Sequence, residues 1–142
     1  FFYASNFSIG VNLFFSFNQY MAQVMDQFLT YDVEIEETHH VHKVDAPSGT
    51  AAKLASILLE EIKRKKQWKK EKADAPEDIP VRSIREDEVP GIHRVIYQSA
   101  FDEIEIRHSA KSREGFALGA VLAAEFLHDK KGVYSMDDLL KL

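Results

Sequence analysis

The sequence has no cysteine among its 142 residues. That excludes a disulfide framework and any thiolate metal site, and it fits the cytoplasm, the expected compartment. A glycine-rich nucleotide turn is missing as well. The six glycines stand apart at positions 10, 49, 91, 115, 119 and 132, and no segment fits G-x-G-x-x-G. No apolar run approaches the 18 or more residues of a membrane span. The apolar-rich stretch up to Phe28 is broken by Asn6, Asn12, Asn18, Gln19 and Gln23. It has neither the basic start nor the clean apolar core of a signal peptide. There is no initiator methionine, so the sequence is expected to begin inside a larger protein. An excess of basic residues is also absent. The formal charge of −5 argues against a general nucleic-acid binder. Neither nucleic acid nor a membrane is an expected partner.

What is present describes a globular domain. With 45% hydrophobic and 29% charged residues, the composition is that of a soluble protein. A chain of this length can bury roughly 68–70% of its unfolded surface. Residues 1–7 read as the end of a strand entering a loop. Ser8 can cap a helix reaching about Phe28, with Val11, Phe14, Phe15, Asn18, Met21, Ala22 and Met25 on one broad stripe. Phe17, Val24 and Phe28 widen that stripe, so more than one buried side is expected. From Asp32 to His40 the polarity alternates, which predicts a half-buried strand. Its period puts Glu37 and His39 on the Val33 side, where a carboxylate and an imidazole are unfavourable unless paired or used. His40 and His42 would face the other way.

A helix from Thr50 carries Leu54, Ile57, Leu58 and Ile62 on one side and runs into the basic stretch Lys63–Lys72. This run, with its single Trp68, reads as a solvated helix end, where cations suit the negative end of the dipole. Contact with nucleic acid or an acidic partner is the alternative. Three strands follow at Ile79–Arg85, Ile92–Ser99 and Glu103–Ala110, with short links that suit antiparallel hairpins. Arg113–Leu127 is apolar almost all round, so burial on several sides is expected. Gly132 stops that helix, and Ser135 caps a last short one, with Asp138 as its capping-box acid. The fold class is α+β, a mixed or antiparallel sheet of about four strands covered by helices.

The chemistry is concentrated in Thr38-His39-His40-Val41-His42-Lys43-Val44-Asp45-Ala46-Pro47-Ser48-Gly49-Thr50. Three histidines and a lysine fall within five positions, joining groups that exchange protons near neutral pH to a fixed positive charge. Pro47 keeps Ala46 extended and ends the strand-like run. Ser48 is a favoured N-cap, Gly49 lets the backbone approach a ligand, and the helix N–H groups from there favour an anion. The combination points to a site for an acidic small molecule. Zinc on the same histidines is set aside, and no metal is expected. His39 and His40 are adjacent on a strand and face opposite sides, and Lys43 would repel the ion.

This block resembles the signature of the dihydrodipicolinate reductases, the lysine-pathway enzymes also called 4-hydroxy-tetrahydrodipicolinate reductases. Three further stretches agree with the family in order, at 4–12, 108–113 and 132–139. The resemblance implies hydride transfer from NADPH or NADH to a cyclic, doubly carboxylated imine, with a proton added on the ring. By that resemblance His39 is the proton donor, and Lys43 is a second donor or a polarising cation. His40, Gly49 and Thr50 would hold a substrate carboxylate. Ala4, Ser5, Asn6 and Phe7 would touch the nicotinamide end of the cofactor. Arg113 reads from the sequence as a helix-start residue, with reach to the cofactor or substrate as the alternative. The family's homotetramer is built through the sheet of this domain.

The family's dinucleotide-binding domain has no counterpart in this sequence, so the resemblance covers the substrate and assembly half. The expected division makes residues 1–7 the end of the nucleotide-binding domain and the hinge. Residues 8–111 form the substrate-binding and tetramerisation domain. Residues 112–142 are terminal helices that pack against the absent nucleotide domain and expose an apolar patch without it. The rival reading is a catalytically silent dicarboxylate-binding or oligomerisation module.

Overall fold

The computed structural model describes residues 1–142. In chain order the elements are α1 (Ile9–Met25), β1 (Asp32–His39), α2 (Gly49–Glu61), β2 (Gln67–Lys70) and β3 (Asp78–Arg85). They continue with β4 (Ile92–Gln98), β5 (Glu103–Ser109), α3 (Glu114–Leu127) and α4 (Met136–Leu140). The expected caps are in place. Ser8 Oγ accepts the Val11 N–H at 3.4 Å, and Ser48 Oγ accepts the Ala51 N–H at 3.2 Å. At the start of α4 the Asp138 carboxylate accepts the Ser135 N–H at 2.8 Å.

The five strands form one mixed sheet in the order β2-β3-β1-β4-β5. β1 is parallel to β3 and antiparallel to β4, β2 is parallel to β3, and β4 and β5 form an antiparallel hairpin. The sheet is of the expected kind with one strand more than expected. The extra strand, β2, lies in the basic run that reads as a helix end. Helix α2 stops at Glu61, and the chain then lays Trp68 against the core. Lys65 is buried, its Nζ donating to the Pro76 and Asp78 carbonyls at 2.7 and 3.0 Å and pairing with Asp32 at 2.5 Å. A second difference concerns β3 and β4, which a hairpin would make neighbours. Instead β1 lies between them, and their link crosses its end: Glu86 N–H donates to the His39 carbonyl at 2.9 Å, and Val41 N–H to the Asp87 carbonyl at 3.1 Å. The strand that carries Val33 and Ile35 into the core gains a ladder on each side.

Helices α1 and α2 cover one face of the sheet. Val81, Ile35, Val95 and Ile106 run across β3, β1, β4 and β5 in register beneath them, joined by Val33, Tyr97 and Ile79. From α2 come Leu54 and Leu58, both fully buried, with Ile62 just beyond its end. Each such side chain contributes roughly 1.5–3 kcal/mol when removed from water. The other face carries no helix. It bears a ladder of ion pairs in which Arg82 meets Glu34 and Glu36 at 2.7 and 3.2 Å, and Arg94 meets Glu36 at 2.8 Å and also Glu105. No helix is long and apolar enough to cross a membrane.

Two helices bury less than their composition predicts. In α1 a single stripe is buried, while Phe17 and Val24 stay exposed, as does Phe28, which the expected helix reached but α1 does not. In α3 only Gly119 and Ala123 are buried, and Phe116, Leu118 and Val121 face outward. The reason is architectural: α1 and α2 occupy the covered face of the sheet, so α3 packs on α1 and the terminal segments instead. There Tyr3 N–H donates to the Tyr134 carbonyl at 3.1 Å, Phe2 stacks on Phe7, and Phe126 meets Phe2 and Tyr134 edge to face. The crossing is so close that a Cβ on Gly119 would lie 1.7 Å from the Phe7 carbonyl oxygen. Gly119→Ala is therefore expected to lower stability by about 1–3 kcal/mol, read by urea denaturation. An unchanged midpoint would mean that the 1–7 segment does not lie against α3.

Candidate functional site

One pleat beyond the apolar row of the sheet comes a polar one. Ser83, Glu37, His93 and His108 pair across β3, β1, β4 and β5 on the same, helix-covered face. Glu37 is wholly buried. Its Oε1 accepts the Ser48 N–H at 3.0 Å, the Ser83 hydroxyl at 2.9 Å and the Arg85 guanidinium at 3.1 Å. Its Oε2 lies 2.5 Å from His39 Nδ1. Burial pushes the Glu37 carboxyl up, but the bonds from His39, Ser83 and Ser48 outweigh it and hold the group well below the usual carboxylate range.

His93 stands beside this pair, its ring T-shaped to His39 with centroids 5.0 Å apart and its Nε2 3.1 Å from Ser48 Oγ. Burial, aided by the charge of His39, pushes His93 down to about 4, so at neutral pH it is uncharged. Glu37, His39 and His93 bring together three groups of metal-ligand type. The 2.5 Å between Oε2 and Nδ1 is nevertheless shorter than the roughly 3.3 Å between two tetrahedral zinc ligands at about 2.0 Å from the ion. The contact pairs a carboxylate with an imidazole and leaves no room for a shared ion.

Off the end of β1 opens a cleft of about 470 Å³. β1 ends in it with His39, then come His40 and Lys43, and Ser48 caps α2 there ahead of Gly49 and Thr50. Lys53 follows one turn along α2. Ser5 and Asn6 line the cleft from the amino-terminal segment, and Arg113 and Phe116 line it from the start of α3. None of the lining residues is acidic, although the chain has 23 aspartates and glutamates. The Gly49 and Thr50 N–H groups open α2 and have no preceding helical carbonyl to bond. Lys43 is paired with Asp45 at 2.8 Å, and Arg113 approaches His40 Nε2 at 3.5 Å. A Cβ on Gly91 would stand 3.1 Å from His39 Nε2, so the bare glycine keeps that nitrogen accessible.

The structure thus gathers most residues singled out from the sequence: His39, His40, Lys43, Gly49, Thr50, Ser5 and Asn6 share one cleft. Ala4 lines an adjoining cleft between α1, α2 and α4. Phe7 turns inward and stacks on Phe2 at 5.9 Å. His42 points outward to Glu88 at 3.2 Å. Sequence reasoning overlooked Lys53, Ser83, Arg85 and His93. Lys53 was within reach, since it lies three residues after Thr50 and so on the same helix face. The other three come to His39 only through strand register.

The α+β scaffold thus carries a braced histidine in an acid-free, cation-walled cleft. The family model for dihydrodipicolinate reductase, C-terminus, matches residues 10–140, and the chain belongs to that family. It is 54% identical over 140 residues to the 4-hydroxy-tetrahydrodipicolinate reductase of Christiangramia forsetii, covering 99% of this chain and 58% of the relative. Identity to the enzyme of the same name from Methanopyrus kandleri is 44% over 140 residues, covering 95% and 50%. For that of Neisseria meningitidis serogroup B it is 38% over 147 residues, covering 99% and 54%. A solved dipicolinate-bound dihydrodipicolinate reductase from Paenisporosarcina sp. TG-14 matches with a TM-score of 0.71 at 27% identity, over 96% of this chain and 53% of that one. The chain spans about half the length of the curated relatives it matches.

The buried His93 makes stability depend on pH. Between its ordinary value of 6.5 and about 4, the unfolded chain binds a proton there that the folded chain does not. Stability therefore falls as pH falls through that window. His93→Gln is expected to remove up to about 3 kcal/mol of this loss, at about 1.4 kcal/mol per pH unit. Urea denaturation at pH 7 and pH 4.5 measures it, and equal losses in both proteins would mean that His93 is protonated in the fold.

Proposed function

We propose that this chain is the substrate-binding half of a 4-hydroxy-tetrahydrodipicolinate reductase, which uses NADPH or NADH in lysine and diaminopimelate biosynthesis in the cytoplasm. The observation that carries this reading is the acid-free cleft that sets a helix N-terminus, Lys43, Lys53 and Arg113 around the braced His39. A cyclic dicarboxylate is a rigid dianion, and such a wall answers both of its charges. His40 and the Gly49 and Thr50 N–H groups hold one carboxylate. Lys53 and Arg113 hold the other.

The reaction adds a hydride and a proton to the substrate ring with loss of water. The nicotinamide supplies the hydride when bound. His39 gives the proton from Nε2, and Lys43 polarises the reacting bond, its own charge steadied by Asp45. Ser5 and Asn6 fit the nicotinamide end of the cofactor. Asn6 Oδ1 is taken by the Ser8 N–H at 2.8 Å, which turns the amide so that its Nδ2 can donate to a carboxamide oxygen. Ala4 and Phe7 hold that segment from behind, Phe7 through its packing on Phe2 and Gly119.

A glycine-rich turn is absent from these residues, so the remainder of the cofactor belongs to a dinucleotide-binding domain outside them. The outward apolar residues of α3 support a domain covering that helix, with residues 1–7 as the hinge and 112–142 as its docking segment. Residues 8–111 form the substrate and assembly domain, and their helix-free sheet face serves assembly into a homotetramer.

In the full-length protein, His39→Gln is expected to lower kcat about 100-fold or more while leaving dipicolinate affinity within a few fold. Equal loss of both would remove His39 as donor. Lys53→Ala is expected to raise KM for the dicarboxylate about tenfold with kcat little changed, the sign of binding that is equal in ground and transition states. Dipicolinate binding without any nicotinamide-dependent turnover would overturn the reductase reading in favour of a silent dicarboxylate-binding module.

A further inference from the structure

Glu37 lies outside the cleft lining yet touches the residue to which the proton-donating role falls. We infer that Glu37 is a positioning residue: it locks His39 in the tautomer with its proton on Nδ1, so that Nε2 alone exchanges a proton with substrate. The inference rests on the reductase reading and names one part of its machinery.

A neutral imidazole carries one proton, and the partner of one nitrogen decides where it sits. An ionised carboxylate only accepts hydrogen bonds. Glu37 is kept ionised by the three donors on Oε1, from Ser48, Ser83 and Arg85. Its second oxygen, 2.5 Å from His39 Nδ1, therefore requires a proton on that nitrogen. No rival donor is near enough to replace it: His93 Nε2 lies 3.9 Å from the same oxygen and is engaged with Ser48 Oγ at 3.1 Å. On the far side of the ring, a Cβ on Gly91 would stand 3.1 Å from Nε2, and the bare glycine leaves that space open. A purely structural role for Glu37, as tether of Ser48 and counter-ion of Arg85, accounts for Oε1. It leaves the contact of Oε2 with His39 without a purpose.

The step balances without moving a proton onto Glu37. The imidazolium of His39 carries protons on both nitrogens. Its Nε2–H bond breaks, the electron pair stays on nitrogen, and the proton passes to the substrate ring. The neutral ring that remains keeps its Nδ1 proton on Glu37, and solvent restores the proton on Nε2. The carboxylate steers the ring without itself becoming protonated.

Nitrogen-15 NMR of histidine-labelled full-length protein, with His39→Gln to assign the signal, is expected to show neutral His39 protonated on Nδ1. A neutral ring protonated on Nε2 would overturn the inference, and this measurement stands even if a Glu37 variant fails to fold. Glu37→Gln, which keeps acceptors for Ser48 and Ser83, is expected to lower kcat about 100-fold with dipicolinate affinity within threefold. In a His39→Gln background the same change should slow turnover no further, because both act through one group. Losses that multiply, or affinity that falls in step with kcat, would leave Glu37 a structural residue. Absence of reductase activity in the wild-type protein would sink the functional reading alone, since the tautomer is measured independently of turnover.

Discussion

A carboxylate shut away from water must gather donors around it, and the arrangement of this domain follows from how Glu37 does so. An uncompensated buried charge costs several kcal/mol even after relaxation. Glu37 meets that cost with His39 on its own strand, Ser83 and Arg85 on β3, and the backbone of Ser48 where α2 is about to begin. These contacts seat the start of α2 over the end of β1, and the seat is the floor of the cleft. Fold and site share one constraint, because the donors that make Glu37 tolerable are also what bring a helix N-terminus to a histidine.

The boundary between core and site is one step of the pleat. Val81, Ile35, Val95 and Ile106 form the last wholly apolar row, and Ser83, Glu37, His93 and His108 form the next. Both rows lie under the same helices, so the polar one inherits rigidity and dryness from its neighbour. Dryness explains why His93 stays neutral at pH values where a free imidazole would be charged. A neutral His93 also leaves the ionised Oε2 of Glu37 to His39 alone.

The sequence made the local part of this legible. The alternation from Asp32 onward placed Glu37 and His39 on the buried face, and Ser48-Gly49-Thr50 announced a helix start. The His–Lys block carried the family resemblance that the comparisons bear out. Strand partners were harder to read, because register is set across the sheet and not along the chain. Nothing adjacent to Ser83, Arg85 or His93 says that they will stand beside residues more than forty positions away. The basic run misled for a different reason. Lysines at 63, 65, 66, 69 and 70 looked solvated as a group, but Lys65 is buried on carbonyl oxygens and Trp68 turns the following segment into a strand. The all-round apolar character of α3 was read correctly as composition. Its burial could not follow from the elements available to cover it.

Strand β2 has one further consequence. It is an outermost strand, only four residues long, and it carries Lys69 and Lys70 before Glu71 turns the backbone left-handed at φ 68°. Outermost strands present unpaired N–H and C=O groups that recruit other chains, and short length with lysine is a common defence. A second copy adding its own β2 alongside would bring like charges together for the sake of a few hydrogen bonds. Sheet growth is therefore disfavoured on this border, and the run that read as a solvated helix end supplies the charges that disfavour it.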